Sequence, residues 1–351
     1  MNLTLEDELR ARGASLGFHR VGVAAATPLR EDFDRYRAFI AAGFHGTMDY
    51  LADAPEVRAR IDTPYLLEGA QSVIVCALAY NRPDVDGEVQ GPAGATIARY
   101  ARGGDYHNFF RKRIRSLASW LRARVPGSLA RPVVDTAPLL ERAWARRAGV
   151  GFIGKNGLVI VPGLGSYFIL GEVLTTVALA PDEPMASRCG ECVRCLDACP
   201  TQAFPAPFVL DPRRCISYLT IELREEIPEP LRAGVGDRLF GCDVCQEVCP
   251  YNRTAPPDPR GTVQFAPRAS WRDVDLASLV TLDETRFGAL TRGSPLSRPM
   301  RAGLARNAMV VMANSRERRY LPVLREAATH DPDGVVRSTA AWAIETIETD
   351  G

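Results

Sequence analysis

The chain has 351 residues, too many for one small domain, and 46% of them are apolar, enough for a sizeable core. Its formal net charge of +1 excludes a globally basic, nucleic-acid-binding composition. No apolar run reaches about 18 residues and the N-terminal segment Met-Asn-Leu-Thr-Leu-Glu-Asp-Glu is acidic, so neither a membrane span nor a secretory signal is expected and the cytoplasm is the expected compartment.

Residues 4–16 predict a helix with Thr4 as N-cap and Asp7 at the third helical position. Arg20–Ala24 reads as a short strand, and residues 30–42 return to helical period. Ser72–Ala79 is a continuous apolar run rich in valine and isoleucine, as in a buried strand, and its Cys76 reads as a small core residue. Residues 107–125 predict a helix, 132–135 a strand, and 138–148 a helix ended by Gly149. Leu158–Val161 and Tyr167–Ala180 are strand-rich. This alternation predicts an α/β domain over 1–180.

Pro181-Asp-Glu-Pro184 marks a boundary, a cysteine-rich region occupies 181–255, and the stretch 254–259 reads as a linker. The remainder, 256–351, looks helical. Arg306–Ala313 and Arg337–Ile344 share a pattern 31 residues apart, the look of short HEAT-like repeats. So few units cannot close a core alone, and they should pack on the rest of the protein.

Eight of the nine cysteines fall within 61 residues. Cys189, Cys192, Cys195 and Cys199 read C-x2-C-x2-C-x3-C before Pro200; Cys242, Cys245 and Cys249 read C-x2-C-x3-C before Pro250. Two four-iron cubanes need eight thiolates, and in such runs the cysteine before proline reaches to the other cluster. Cys189, Cys192, Cys195 and Cys249 are therefore expected on one cluster. Cys199, Cys242 and Cys245 are expected on the second, with Cys215 completing the four. Zinc is the competing reading, but its sites are usually closed by C-x2-C pairs or Cys/His mixtures. Free thiolates also suit a reducing compartment.

Gly149-Val-Gly-Phe-Ile-Gly154 matches G-x-G-x-x-G, yet a helix precedes it and strand-like residues follow, the reverse of the dinucleotide arrangement. The glycines there read as a tight turn or a close backbone approach. Asp135 ends a short apolar strand: it is either a helix cap or a general acid whose proton is retained by burial. His107, beside Asp105, is a base, a ligand, a substrate anchor or a structural hydrogen-bonding group. Phe110 stands where a D-x-H-x-x-G corrinoid motif has glycine, so a histidine-ligated corrinoid motif is absent. Basic runs at Arg111–Arg115 with Arg122, Arg124 and Arg131, and at Arg292, Arg298, Arg301, Arg306, Arg316, Arg318 and Arg319, are solvated helix faces or phosphate contacts.

Five further stretches carry a resemblance. They are His45-Gly-Thr-Met-Asp-Tyr50, Arg99–His107, Val134-Asp-Thr-Ala-Pro-Leu-Leu-Glu-Arg-Ala143, Gly151-Phe-Ile-Gly-Lys-Asn156 and Cys215-Ile-Ser-Tyr-Leu-Thr-Ile-Glu222. With the cysteine runs, they resemble the epoxyqueuosine reductases over nearly the whole chain. The resemblance implies an N-terminal cobalamin-binding domain of α+β, nitroreductase- or Rossmann-like type, a bacterial ferredoxin-like domain with two [4Fe-4S] clusters, and a C-terminal helical region contacting tRNA. It implies cobalamin bound base-off and reduction of the epoxide at the wobble base of the tRNA anticodon loop. Asp135 matches the family's proton donor. Arg58, Val159, Leu170 and Ser217 fall where family members line the corrinoid. A monomer fed by a low-potential electron donor is expected. The rival readings are a corrinoid reductive dehalogenase-like enzyme and a two-cluster electron carrier.

Overall fold

The computed structural model describes residues 3–53, 56, 58, 65–82, 91–92, 94–135, 137–255, 262–271 and 274–349. Of the predicted linker, residues 256–259 lie outside these. Helix α1 (Leu5–Ser15) opens on a capping box in which Thr4 and Asp7 satisfy each other's backbone N–H groups, as its sequence predicts. Strand β1 (Arg20–Ala25) and helix α2 (Arg30–Ala41) follow. Strand β2 (Ser72–Ala79) is buried along its whole length, and the two-residue β3 (Thr96–Ile97) precedes the long basic helix α3 (Tyr106–Arg124). Then come β4 (Ala130–Val133), α4 (Glu141–Arg147), the short pair β5 (Phe152–Ile153) and β6 (Val159–Ile160), and β7 (Phe168–Thr175).

Strands β1, β2, β7 and β4 form one sheet in that order. Every pairing in it is antiparallel, so this region is α+β and not Rossmann-like. Alternation of side chains gives the sheet two apolar faces. On one, Ile74, Cys76, Ile169 and Val173 meet Phe110, Ile114 and Leu117 of α3. Gly171 permits that contact, because a Cβ there would lie 2.6 Å from the Phe110 ring. On the other, Val73, Val75, Val133 and Leu174 meet Ala143 and Trp144 of α4. Helix α4 begins at Glu141, three residues later than its sequence suggests, and Leu140 caps it with no side-chain hydrogen bond. Asp135 is therefore not a helix cap.

The cysteine-rich region is built from short pieces: α5 (Arg194–Asp197), α6 (Ile216–Ile221), α7 (Glu229–Val235), β8 (Arg238–Phe240), α8 (Val244–Glu247) and α9 (Pro250–Arg253). Strand β8 pairs in parallel with β3. Beyond it lie α10 (Thr262–Phe265), α11 (Leu276–Val280), α12 (Glu284–Thr291), α13 (Met300–Ser315), α14 (Leu321–His330) and α15 (Gly334–Thr349). The repeated pattern falls on two helices in different settings. Helix α13 is buried on nearly all sides, whereas α15 buries the single stripe Val336, Thr339, Ala340, Ala343 and Ile347. As expected, these helices borrow core from elsewhere: Ile97, Ala101, Leu239 and Phe240 sit in the same apolar cluster. Among the described residues no helix is long and apolar enough to cross a membrane.

Two arginines of the basic C-terminal run are internal. Arg301 forms a two-pronged ion pair with Asp331 at 2.8 and 2.9 Å. Arg306 is fully buried and donates to the carbonyls of Leu219, Leu223 and Glu225 and to the Asn307 side chain. Neither is a phosphate contact. Arg298 pairs with Glu222, and Arg122, Arg124 and Arg131 of the first run are engaged with Ala130, Glu8 and Leu66.

Arg306→Ala would leave several buried carbonyls without donors, and we expect a loss of about 3 kcal/mol in urea unfolding. Arg306→Lys, which cannot present the same planar fork of donors, should recover less than half of it.

Candidate active site and metal centre

Asp135 follows β4 with φ +55°, a left-handed conformation that aspartate tolerates better than most residues. Its backbone N–H donates to Glu141 Oε1 at 3.0 Å. Its Oδ2 lies 3.1 Å from His107 Nε2 and accepts from the Tyr106 hydroxyl at 3.3 Å. The other ring nitrogen of His107 lies 2.6 Å from Asp105 Oδ1, and the Asp105 carboxylate also caps α3 through the His107 N–H. The start of α3 and the end of β4, brought together by the packing of α3 on the sheet, thus form an Asp–His–Asp chain with Tyr106 alongside.

These neighbours reverse one expectation. Asp135 is not a buried apolar carboxyl with a raised pKa. Its side chain is 56% exposed, and the hydrogen bond from His107 holds its pKa below the ordinary value of 3.8, against the opposing effect of desolvation. The same contact raises His107 above 6.5, assisted by Asp105. Each group therefore favours the charged form of the other, with His107 Nε2 set against Asp135 Oδ2. Behind them, desolvation and the Asp135 charge push half-buried Glu141 up to about 7. Deeper still, desolvation pushes Glu172 of β7 far above 4.5.

Four of the five quoted stretches contribute residues to this place. Tyr50, 51% exposed, feels the charges of Glu222, Arg298 and Asp135. The Arg298–Glu222 pair closes that side. Sequence reasoning had assigned no role to Tyr50, Glu141 or Glu222, although each lies inside a quoted stretch. Nor had it placed Arg298 beside Asp135; only the folded chain brings it there.

The four expected corrinoid-lining residues divide. Arg58 is buried, stacks its guanidinium over Tyr36 at 5.4 Å and donates Nη2 to the Tyr50 carbonyl, while its Nε has no hydrogen-bond partner. Val159 and half-buried Leu170 lie in the apolar layer on the α4 side of the sheet. Ser217 lies elsewhere, at the start of α6, where its N–H and hydroxyl both approach the Cys215 sulfur.

The G-x-G-x-x-G segment supports the cysteine loops. Gly149 has φ +63°, and a Cβ on Gly151 would strike the Ile160 carbonyl, so the glycines serve turn and close approach as expected. Beyond them, Lys155 Nζ donates to the Gly190 carbonyl at 2.7 Å and Asn156 Nδ2 to the Cys245 carbonyl at 3.3 Å.

The eight cysteines form two groups. Cys189, Cys192, Cys195 and Cys249 line one small cavity together with Ile160 and Tyr251. Burial raises the Cys195 thiol, with further upward pressure from Cys189, Cys249 and Cys192. The second group shows the same mutual influence. Burial raises Cys215, Cys242 (to about 11) and Cys245; Cys199 adds to the first, and Cys215 to the other two. Among the described residues no three His, Cys, Asp or Glu side chains converge on a single-ion site. Sulfurs ringing a space suit a cube better than one ion.

The Asp135–His107 pair makes a pH prediction. A raised histidine contributes stability that is complete below its unfolded value of about 6.5 and is lost as pH rises through its folded value. A lowered aspartate contributes above about 3.9 and loses that contribution as pH falls through its own folded value. NMR titration of the His107 ring should give a midpoint above 6.5, and Asp135→Asn should lower it.

A family model described as a 4Fe-4S double cluster binding domain matches residues 188–252, and one described as epoxyqueuosine reductase QueG matches residues 60–136. The epoxyqueuosine reductase of Pseudomonas aeruginosa is 41% identical over 345 residues, 97% of this chain and 94% of that one. A crystal structure of epoxyqueuosine reductase with an epoxyqueuosine-modified tRNA-Tyr stem loop matches with a TM-score of 0.88 at 32% identity, covering 98% of this chain and 90% of that chain. A Bacillus subtilis epoxyqueuosine reductase, captured with its aspartate catalytic loop swung out of the active site, matches at 0.87 and 31%, with the same coverage. With identity of this size along almost its entire length, the chain belongs to the epoxyqueuosine reductase family.

Proposed function

We infer that the protein reduces epoxyqueuosine to queuosine at the wobble position of tRNA, drawing electrons through two [4Fe-4S] clusters. The observation that carries this reading is the Asp135–His107–Tyr106 cluster, set at the end of β4 in a chain similar to epoxyqueuosine reductases throughout. Removing an epoxide oxygen as water consumes two electrons and two protons. His107 Nε2 lies against Asp135 Oδ2, and Tyr106 donates to the same oxygen, so these three groups would supply the acid that the opening oxygen needs.

The donor chemistry fits the clusters: Cys189, Cys192, Cys195 and Cys249 would hold one, and Cys199, Cys215, Cys242 and Cys245 the other. Three of the expected lining residues fit cobalamin chemically. Arg58, with its buried and unpartnered Nε, would donate to the corrin rim, and Val159 and Leu170 would pack against it. Ser217, beside Cys215, would contribute its hydroxyl to holding the cofactor. When bound, cobalamin supplies a strongly reducing metal centre for the two electrons. The protein's own part is to orient the base, limit water and deliver protons.

The modified base must leave the anticodon stack to reach such a site, and single-stranded loops allow this. On this reading residues 1–180 form a nitroreductase-like catalytic domain, 181–255 a ferredoxin-like domain, and 256–351 a HEAT-like region facing tRNA. The protein acts in the cytoplasm as a monomer, with a low-potential donor. Exposed Lys112 and Arg115 on α3 supply phosphate-binding charge in place of the committed arginines.

Nucleoside mass spectrometry of tRNA from cells lacking this gene should show epoxyqueuosine in place of queuosine; normal queuosine would refute the reading. In purified enzyme, Asp135→Asn should lower turnover by about 100-fold or more with cofactor content unchanged. Cys215→Ala should reduce iron from about eight to about four atoms per chain.

A further inference from the structure

Glu172 is a carboxyl group in the middle of a sheet. It sits on β7 between β2 and β4, in register with Val75 and Val133, and is 0% exposed. Neither of its carboxyl oxygens has a hydrogen-bond partner. Leu170 and Leu174 on the same strand pack on the α4 side, so alternation aims Glu172 there too. The titratable groups around it are Glu141 at the start of α4, Asp135 beyond the end of β4, and Cys76 on β2. Glu141 in turn meets Asp135, Arg142 and His107. A leucine of similar size would fill this place without burying a polar group. An ionised carboxylate without donors, facing two other acids, is excluded on energetic grounds, so Glu172 carries its proton.

Glu172 feels the charge of Glu141 most and that of Asp135 next. Val133, the partner of Glu172 across the ladder, is two residues from Asp135. Glu141 Oε1 is occupied by the Asp135 N–H, which leaves Oε2 to carry a proton. Glu141 thus interacts with both the buried acid and the exposed one. We propose that Glu172 is a proton reservoir, passing its proton through Glu141 to the Asp135–His107 pair during turnover.

The proposal rests on the reaction inferred above, whose balance requires it to find two protons. Two carbon–oxygen bonds break, the carbon–carbon double bond forms, and oxygen leaves as water. The low-potential donor supplies both electrons. His107 supplies the first proton and Glu172 the second, after which solvent refills the chain through exposed Asp135. Glu172 does not touch the substrate; it acts through its neighbours.

The test uses cofactor-loaded enzyme with epoxyqueuosine-containing tRNA. Glu172→Gln keeps the shape but has no acidic proton. Its kcat should stay within about twofold of wild type near pH 6, where solvent protons are plentiful, and fall about tenfold near pH 8, with KM unchanged. Glu141→Gln should lose rate about tenfold near pH 8 as well. Glu172→Leu should melt at a higher temperature than wild type yet lose the same rate, an outcome a purely structural role does not produce. Infrared difference spectra of the wild type should show a neutral carboxyl band near pH 8 that Glu172→Gln lacks. A Glu172→Gln pH profile that superposes on wild type, or the absence of that band from the wild type, overturns the reservoir. Should Glu172→Gln fail to fold, the wild-type band and the Glu141→Gln profile decide. Wild-type enzyme that leaves epoxyqueuosine unreduced overturns the functional reading itself, a result distinct from active wild type with unaltered variants.

Discussion

The buried guanidinium of Arg306 is the constraint on which the arrangement of the chain depends. A charge with no exposed surface is tolerated only when its donors are matched, and here they meet carbonyls at and beyond the C-terminal end of α6. Asn307 adds bonds to the Thr220 and Leu239 carbonyls. Helix α6 is thereby fixed at one end by α13. Its other end is capped by Cys215, and its middle presents Tyr218, whose hydroxyl meets the Thr47 N–H at 2.9 Å. Glu222, just past its end, binds Arg298. One internal cation thus sets the positions of a candidate cluster ligand, of the segment leading to Tyr50, and of the arginine beside Asp135.

Around Asp135 the protein separates three carboxyl groups by depth. Asp135 is half exposed and hydrogen-bonded to His107, so it ionises readily. Glu141 is half-buried beside it, and Glu172 lies in the sheet with no donor at all. Identical chemistry is thus driven toward different protonation states by environment alone, the pattern from which acid and base roles are built. Aligning charge state with distance from solvent gives the site a direction along which protons can run.

What the sequence disclosed and what it hid follow one physical division. Local signals were legible: the capping box of α1 and the all-apolar β2 depend on residues within a few positions of each other. The start of α4 was misplaced because Asp135-Thr-Ala-Pro138 resembles a helix opening, whereas the Asp135 N–H is taken by a side chain six residues on. The acidity of Asp135 was read with the wrong sign because its determinant, His107, is 28 residues away. The basic C-terminal run looked uniform, but burial of Arg306 is decided by carbonyls more than 80 residues distant. The cysteines were legible because cluster chemistry writes itself into spacing. The acid cluster was not, because it is assembled by packing.

The left-handed backbone at position 135 carries a consequence for how this site can drift. A side chain branched at Cβ is sterically penalised there before any chemistry is considered, and glutamate would displace the carboxyl by a methylene in addition to adopting an unfavoured conformation. Asparagine shares aspartate's tolerance of this geometry. Main-chain sterics and proton transfer therefore screen the same position independently, and a neutral path of substitution through it is correspondingly narrow.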